Sequence, residues 1–496
     1  MNLKLQTART LKWNTIDRLL TQVIYAIVGV VLANILSKEE FGLVGVLLIF
    51  QAFATILVDS GFGAALLREK NPTQTDYSTV FWFNTIVSIS LYLILYLCAP
   101  LIAKLFQDET RLIPLSKVMF LVFVINGLAI VQINRLMKEM NVKMIAISNT
   151  ISLIAGGIAG IWSALAGYGA WALVWQSLVM AIIKTGILWC TGRWRPTFVF
   201  STATIRKIRA VGMSVFSSSL LNTISLNIYN FVIGIYYSAA SLGVYTQADK
   251  WSKMGSASIT QILTSSFVPL LSKVQDSKPD FDRYVQKTLR FTTFILLPAM
   301  AGCAVIAAPL FHLMFAHKWD SAIPLFQILS IRGIFIVYIS LFSNYLLALG
   351  KARTIFRSEF IKDTMIFLAI AATIFTRNLT ILIIGQATAT LLTYIILLPI
   401  TRKSLNIPFG SLIRPTLPYL LLTLTTALTA MLAGHLTQTY LLPHLPIPSD
   451  IRIQAMITLT LQLLTGITIY ILGARLLRLP ELPESLTYLL GRFRRS

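Results

Sequence analysis

Arg332 stands alone in an apolar run, with FQILSI before it and GIFIVY after it. Ionised groups are costly at depth in hydrocarbon, so each one inside such a run needs a reason. Arg18, Arg135, Lys138, Lys250 and Lys253 raise the same question. Arg135 and Lys138 are three apart, as are Lys250 and Lys253, so each pair shares a helix face. Such cations either bind anions or stretch their long stems to the head groups. Arginine suits a phosphate, because its planar fork stays charged and donates two parallel hydrogen bonds. Snorkelling is hardest for Arg332, near mid-depth, so a role facing a polar interior is expected there.

The acids pose the matching problem. Asp59 opens DSGFGAALLREK directly after FATILV. Gly61, Gly63, Ala64 and Ala65 follow, and small residues let helices approach closely. A carboxylate here is expected to pair with a cation on a neighbouring helix, with Arg18 the partner to test. The pair would be a gate or a structural ion pair; alternatively Asp59 is a protonation site. Asp249, and Asp363 beside Lys362, are further candidates for coupling to an ion, since a carboxylate in apolar surroundings holds its proton more tightly. Uncharged polar residues gather at 214–230, among them Ser217, Asn222, Asn227, Tyr229 and Asn230. They offer hydrogen bonds to hydroxyl-rich ligands, and equally they bind helices to one another.

These residues must be carried by membrane-spanning elements. The chain is 56% hydrophobic and 12% charged, with mean hydropathy +0.74, whereas soluble domains carry about 25% charged residues. A spanning helix needs about 20 apolar residues, and about fourteen such segments run from 13–37 to 453–474, including 41–66, 208–236, 243–271 and 354–376. Alternation of the barrel kind is absent, so the fold class is all-α. MNLKLQTARTLKWN is polar for too long for a plain cleaved signal peptide, and the first helix is expected to remain.

The net charge of +23 does not point to nucleic acid. With both termini in the cytoplasm, the outer loops hold only Lys38, Lys104, Arg111, Lys318, Arg377 and Arg452. Most of the remaining basic residues fall inside, as the positive-inside rule requires, where they meet anionic lipid. Cys98, Cys190 and Cys303 lie in separate apolar runs with no disulfide or metal spacing, and no metal is expected. No GxxxxGK[ST] loop is present, nor a clustered set of outer acids, so an enzyme or scaffold of polymer assembly is disfavoured.

The chain also repeats. Ser37-Lys-Glu-Glu-Phe41-Gly42-Leu43 aligns with Ser238-Ala-Ala-Ser-Leu242-Gly243-Val244, and APLIAKLF (99–106) with APLFHLMF (308–315). An even number of helices per copy makes the copies parallel. The expected organisation is a lobe at 1–200 (helices 1–6), a second at 201–405 (helices 7–12), and accessory helices 13–14 with a basic tail at 406–496. Two six-helix lobes around a central cleft form an alternating-access transporter.

Several segments resemble one family: FGLVGVLLIFQAFATILVDSGFGAALLREK, TVFWFN (79–84), GYGAWALVWQ (167–176), RWRPTFVF (193–200), SLGVY (241–245), FVPLLSKVQD (267–276) and HKWDSAIPLFQIL (317–329). Together they look like the polysaccharide flippases, O-antigen and colanic-acid type, of the multidrug/oligosaccharidyl-lipid/polysaccharide exporter superfamily. The resemblance implies a monomer in the bacterial inner membrane. It would turn an undecaprenyl-pyrophosphate-linked oligosaccharide from the cytoplasmic to the outer face, driven by H+ or Na+, for a separate polymerase. The resemblance makes Arg18, Arg135, Lys138, Lys250, Lys253, Arg332, Asn222, Asn227 and Asn230 candidates for the pyrophosphate and sugar cleft, and Asp59, Asp249, Asp363 and Lys362 for gating or coupling. NIYNFVIG departs from the family, with Tyr229 where an acid often sits. A drug or metabolite antiporter and a lipid II flippase of the same superfamily are the alternative readings.

Overall fold

The computed structural model describes residues 3–192, 194–408, 410–444 and 450–483. Among them every regular element is a helix and none is a strand, as hydrocarbon requires of a chain that must satisfy its backbone within each segment. Among the described residues eleven helices are long and apolar enough to cross a bilayer. The expected count of fourteen is not reached on that criterion. The segments at 208–236, 243–271 and 354–376 are helical, but their Ser, Asn, Lys and Asp side chains keep them out of the apolar set.

Packing divides the chain into two compact units, 1–246 and 247–496. The first holds α1 (Leu3–Ile35), α2 (Lys38–Asp59), α3 (Phe62–Arg68), α4 (Gln74–Leu97), α5 (Ala99–Leu105), α6 (Leu112–Met119), α7 (Leu121–Lys138), α8 (Val142–Leu165), α9 (Trp171–Thr191) and α10 (Thr202–Tyr236). Helix α11 (Ala239–Lys273) begins in this unit and continues into the second. The division falls later than the repeat boundary at 200/201 because α10 packs on α2 and α3.

Small residues set the spacing in the first unit. A Cβ on Gly156 would press on the Gln176 carbonyl of α9, and one on Gly157 on Val28 of α1. Polar caps fix where helices start. Ser37 and Glu40 form a capping box at the start of α2, and Thr73 with Asp76 forms another on α4. Each cap satisfies backbone N–H groups that a helix leaves unpaired.

The span expected at 41–66 is broken. Ser60 and Gly61 take left-handed φ values of 49° and 70°, so α2 ends at Asp59 and α3 restarts at Phe62. Gly61 also lies against the Gly212 carbonyl of α10, where a Cβ would not fit. The DSGFG stretch is therefore a hinge-like corner and not the middle of a straight span.

The second unit contains α12 (Lys278–Val305), α13 (Ala307–Phe315), α14 (Ile323–Ala348), α15 (Ala352–Thr373), α16 (Leu379–Leu405), α17 (Gly410–Ile413), α18 (Leu417–Leu436) and α19 (Ile451–Leu476). Its core joins α12, α14 and α16 through Leu296, Val337, Phe342, Tyr345 and Leu397. The buried hydroxyl of Tyr345 is satisfied by Thr288 at 2.8 Å and by the Val285 carbonyl at 3.1 Å. Helices α18 and α19 pair and pack beside α12 and α13.

Candidate functional site

The corner after α2 opens onto a chamber inside the first unit. The chamber holds about 380 Å³ and is lined by Asp59, Lys184, Asn126, Thr55 and Ser219, with Phe123 and Ile130 among its apolar walls. The broken helix explains the place of Asp59. Its carboxylate ends α2 and accepts a hydrogen bond from the Gly63 backbone N–H in the first turn of α3. A Cβ on Gly63 would meet Asp59 Oδ1 and Asn134 Nδ2, so both side chains would have to shift to admit one.

Lys184, on α9, was not singled out from the sequence. It sits in LVWQSLVMAIIKTGILWC as the one charge of the run, the same isolation that marked Arg332. Asp17 of α1 lies within its electrostatic reach. Asp17 in turn accepts from Asn149 Nδ2 at 3.3 Å and from Thr21 Oγ1 at 3.5 Å. An acid at the chamber corner, a base on its wall and a second acid behind that base form a set that can hold a cation or pass a proton.

The other first-unit predictions separate. Arg18 is exposed on α1, and among the described residues no ion pair joins it to Asp59; the pairing expected from the sequence does not form because Asp59 turns to Gly63 instead. Arg135 pairs with Glu139 at 2.7 Å. Lys138 places its ammonium on the carbonyls that end α3, 3.3 Å from Leu66, 3.4 Å from Leu67 and on Glu69. Asn222 is exposed. Asn227 back-bonds to the Thr223 carbonyl at 3.0 Å, and Asn230 Nδ2 reaches Asn227 Oδ1 at 3.5 Å. The Oδ1 of Asn230 is buried without a hydrogen-bond partner.

In the second unit, Arg332 is partly buried on α14 and donates from Nε to Thr390 Oγ1 of α16 at 3.1 Å. Asp249 and Lys253 pair one turn apart at 2.5 Å, and the Lys250 ammonium lies 5.2 Å from the Trp251 ring centroid. Lys362 bonds to Glu359 one turn earlier, on the same helix as Asp363. A second cavity of about 310 Å³ lies between α12, α18 and α19, lined by Pro298, Gly302, Thr426, Gly466 and Tyr470. Among the described residues its lining is apolar apart from Thr423, Thr426, Gln462 and the Tyr470 phenol.

Comparison with known proteins gives a consistent picture. A family model described as polysaccharide biosynthesis protein matches residues 31–324. The succinoglycan biosynthesis transport protein ExoT of Rhizobium meliloti (strain 1021) is 25% identical over 349 residues, covering 70% of this chain and 70% of that one. The teichuronic acid biosynthesis protein TuaB of Bacillus subtilis (strain 168) is 25% identical over 356 residues, 69% of this chain and 71% of that one. Among solved structures, the lipid II flippase MurJ in an inward closed conformation superposes with a TM-score of 0.74 at 14% identity, over 93% of this chain and 98% of that chain.

Proposed function

We propose that this chain, which belongs to the polysaccharide biosynthesis protein family, flips undecaprenyl-pyrophosphate-linked oligosaccharide repeat units from the cytoplasmic to the periplasmic face of the bacterial inner membrane. It is a multi-pass membrane protein with a MurJ-like fold. The observation that carries the reading is the family match over 31–324 on a chain with that fold. Its relatives include a biosynthesis transport protein for succinoglycan, which supports a transporter rather than an enzyme or scaffold. A lipid II flippase shares the fold alone, at 14% identity, and the family match favours the polysaccharide reading over it and over drug antiport.

The transport cycle is alternating access, with both termini cytoplasmic and an H+ or Na+ gradient as the driving force. Arg332 is the cation for the pyrophosphate. Its guanidinium is anchored to α16 by Nε donating to Thr390, which leaves the two Nη groups for a bidentate anion. Asp59 and Lys184 form the coupling site. Asp249 and Asp363 are secondary coupling acids, and Asn227 and Asn230 serve the sugar hydroxyls. A polysaccharide polymerase takes the product at the outer face.

The test is a deletion strain assayed for carrier-linked repeat units on the inner leaflet. The pool is expected to accumulate, to clear with the wild-type gene, and to persist with Arg332→Ala at equal protein level. A deletion strain with no accumulation, in a background lacking a second flippase, overturns the reading. Clearance by Arg332→Ala as fast as by wild type overturns the role of Arg332.

A further inference from the structure

His312, near the end of α13, and His317, in the turn that follows, aim their rings at one carboxylate. His312 Nε2 lies 3.1 Å from Asp320 Oδ1, and His317 Nδ1 lies 2.8 Å from Asp320 Oδ2. The ring centroids are 5.1 Å apart. One ligand atom from each of the three residues can be chosen so that all lie within 4.8 Å of one another.

The turn that brings them together is held from beneath. Ala316 has φ 51° and ψ −135°, a conformation that residues with a side chain rarely adopt. It reverses the chain after α13 and returns His317 over His312. Phe311, Phe315 and Trp319 are buried under the turn, with ring centroids 5.6 Å apart for the first pair and 6.2 Å for the second. The Ala316 N–H donates to the His312 carbonyl at 2.8 Å, and the Ala322 N–H to the Trp319 carbonyl at 2.8 Å. Side chains carried on so fixed a support are pre-organised.

We propose that His312, His317 and Asp320 bind a transition-metal ion of the zinc class. Two imidazole nitrogens and a carboxylate oxygen are a zinc donor set, bonding at about 2.0–2.2 Å in tetrahedral geometry. A metal at their centre would set the ligand atoms about 3.3 Å apart, against a present spacing within 4.8 Å that binding would have to close. Magnesium and calcium are excluded because they select oxygen ligands, whereas imidazole suits zinc, copper and nickel. His312 and His317 also line a cavity of about 480 Å³ with Gln438, Gln454 and Thr458. It supplies an entry path and room for a water as fourth ligand. A bound ion would tie the end of α13 to the turn that starts α14.

The test uses full-length protein in detergent, stripped with chelator and titrated with ZnCl2 by calorimetry. One ion is expected to bind per chain. Asp320→Asn and His317→Ala each weaken binding at least about tenfold, and His312→Ala/His317→Ala abolishes it. His435→Ala/His444→Ala leaves it intact. A cobalt titration of the wild-type protein, which depends on no variant folding, should give the intense visible bands of a tetrahedral site. Failure of the wild type to take up zinc, or binding that survives loss of both His312 and His317, overturns the proposal.

Discussion

Gly42 of α2 and Gly243 of α11 pack against each other reciprocally. A Cβ on Gly42 would run into the Ala239 carbonyl, and one on Gly243 into the Lys38 carbonyl, standing 3.1 Å from the Gly42 nitrogen. The four residues are two repeat-related pairs, each glycine facing the residue four before its counterpart. The helix starts match as well: Ser37 caps Glu40 and Ser238 accepts from Ser241, both at 3.2 Å. The obstructing atoms are backbone, which no rotamer change relieves. Gly42→Ala and Gly243→Ala should each cost about 1–3 kcal/mol or more through overpacking. Thermal unfolding of purified variants checks this, and Gly186→Ala, where a Cβ meets nothing, should be tolerated.

Lys138 should behave as a structural cation. Its ammonium satisfies carbonyls at the end of α3, where a positive charge also complements the helix dipole. Lys138→Met should lower stability by about 1 kcal/mol, and Lys138→Arg should restore much of it. Transport per folded molecule should stay near wild type in both. A transport defect in Lys138→Met at unchanged stability would return the residue to the substrate path.

Glu109 gives a pH dependence outside the spans. Arg111 clasps both its oxygens at 2.8 Å and reaches Glu39 at 3.8 Å. The hydrogen bonds from Arg111 hold the Glu109 carboxyl below its ordinary 4.5. A lowered folded-state value means that Glu109 stabilises the fold fully above its unfolded pKa and loses that contribution as pH falls through the folded one. The pair is largely at the surface, so the effect is under about 1 kcal/mol. Glu109→Gln should therefore unfold slightly earlier than wild type at neutral pH and at the same temperature in acid below the folded value. Melting curves across that range would show the gap closing.

The fold was more legible than the site. Hydropathy marks the apolar helices because a span must be long and apolar to exist at all. It is weakest for α10, α11 and α15, the segments read at 208–236, 243–271 and 354–376, because polar side chains interrupt their apolar runs. The corner at Ser60–Gly61 was present in the sequence as DSGFG, but a turn signal inside an apolar run is outvoted by hydropathy. Cations were legible as types and not as partners. Arg332, Lys138 and Arg135 all read as buried basic residues, yet one bonds a threonine, one caps a helix and one pairs along its own helix. The partners of Arg332 and Lys138 depend on which helices become neighbours, which a single sequence does not state, whereas Glu139 lies four residues after Arg135 on one helix face. Lys184 needed only the rule already applied to Arg332.

Asp59 has two roles that substitution can separate. As a hydrogen-bond acceptor it ties the end of α2 to the Gly63 N–H, and an amide oxygen can do the same. As a charge it shares the chamber with Lys184, and an amide cannot. Asp59→Asn should therefore hold the corner, with stability within about 1 kcal/mol of wild type. Asp59→Leu leaves the N–H without its acceptor and should cost about 1–3 kcal/mol. With the charge serving ion coupling, Asp59→Asn clears the inner-leaflet pool far more slowly than wild type despite its intact fold, and Lys184→Met shares the defect. Wild-type clearance by Asp59→Asn, combined with instability of Asp59→Leu, would reduce Asp59 to a fastening of the corner. The double variant then discriminates further. Two charges acting in one coupling step give a combined loss no worse than the larger single loss, whereas independent contributions multiply.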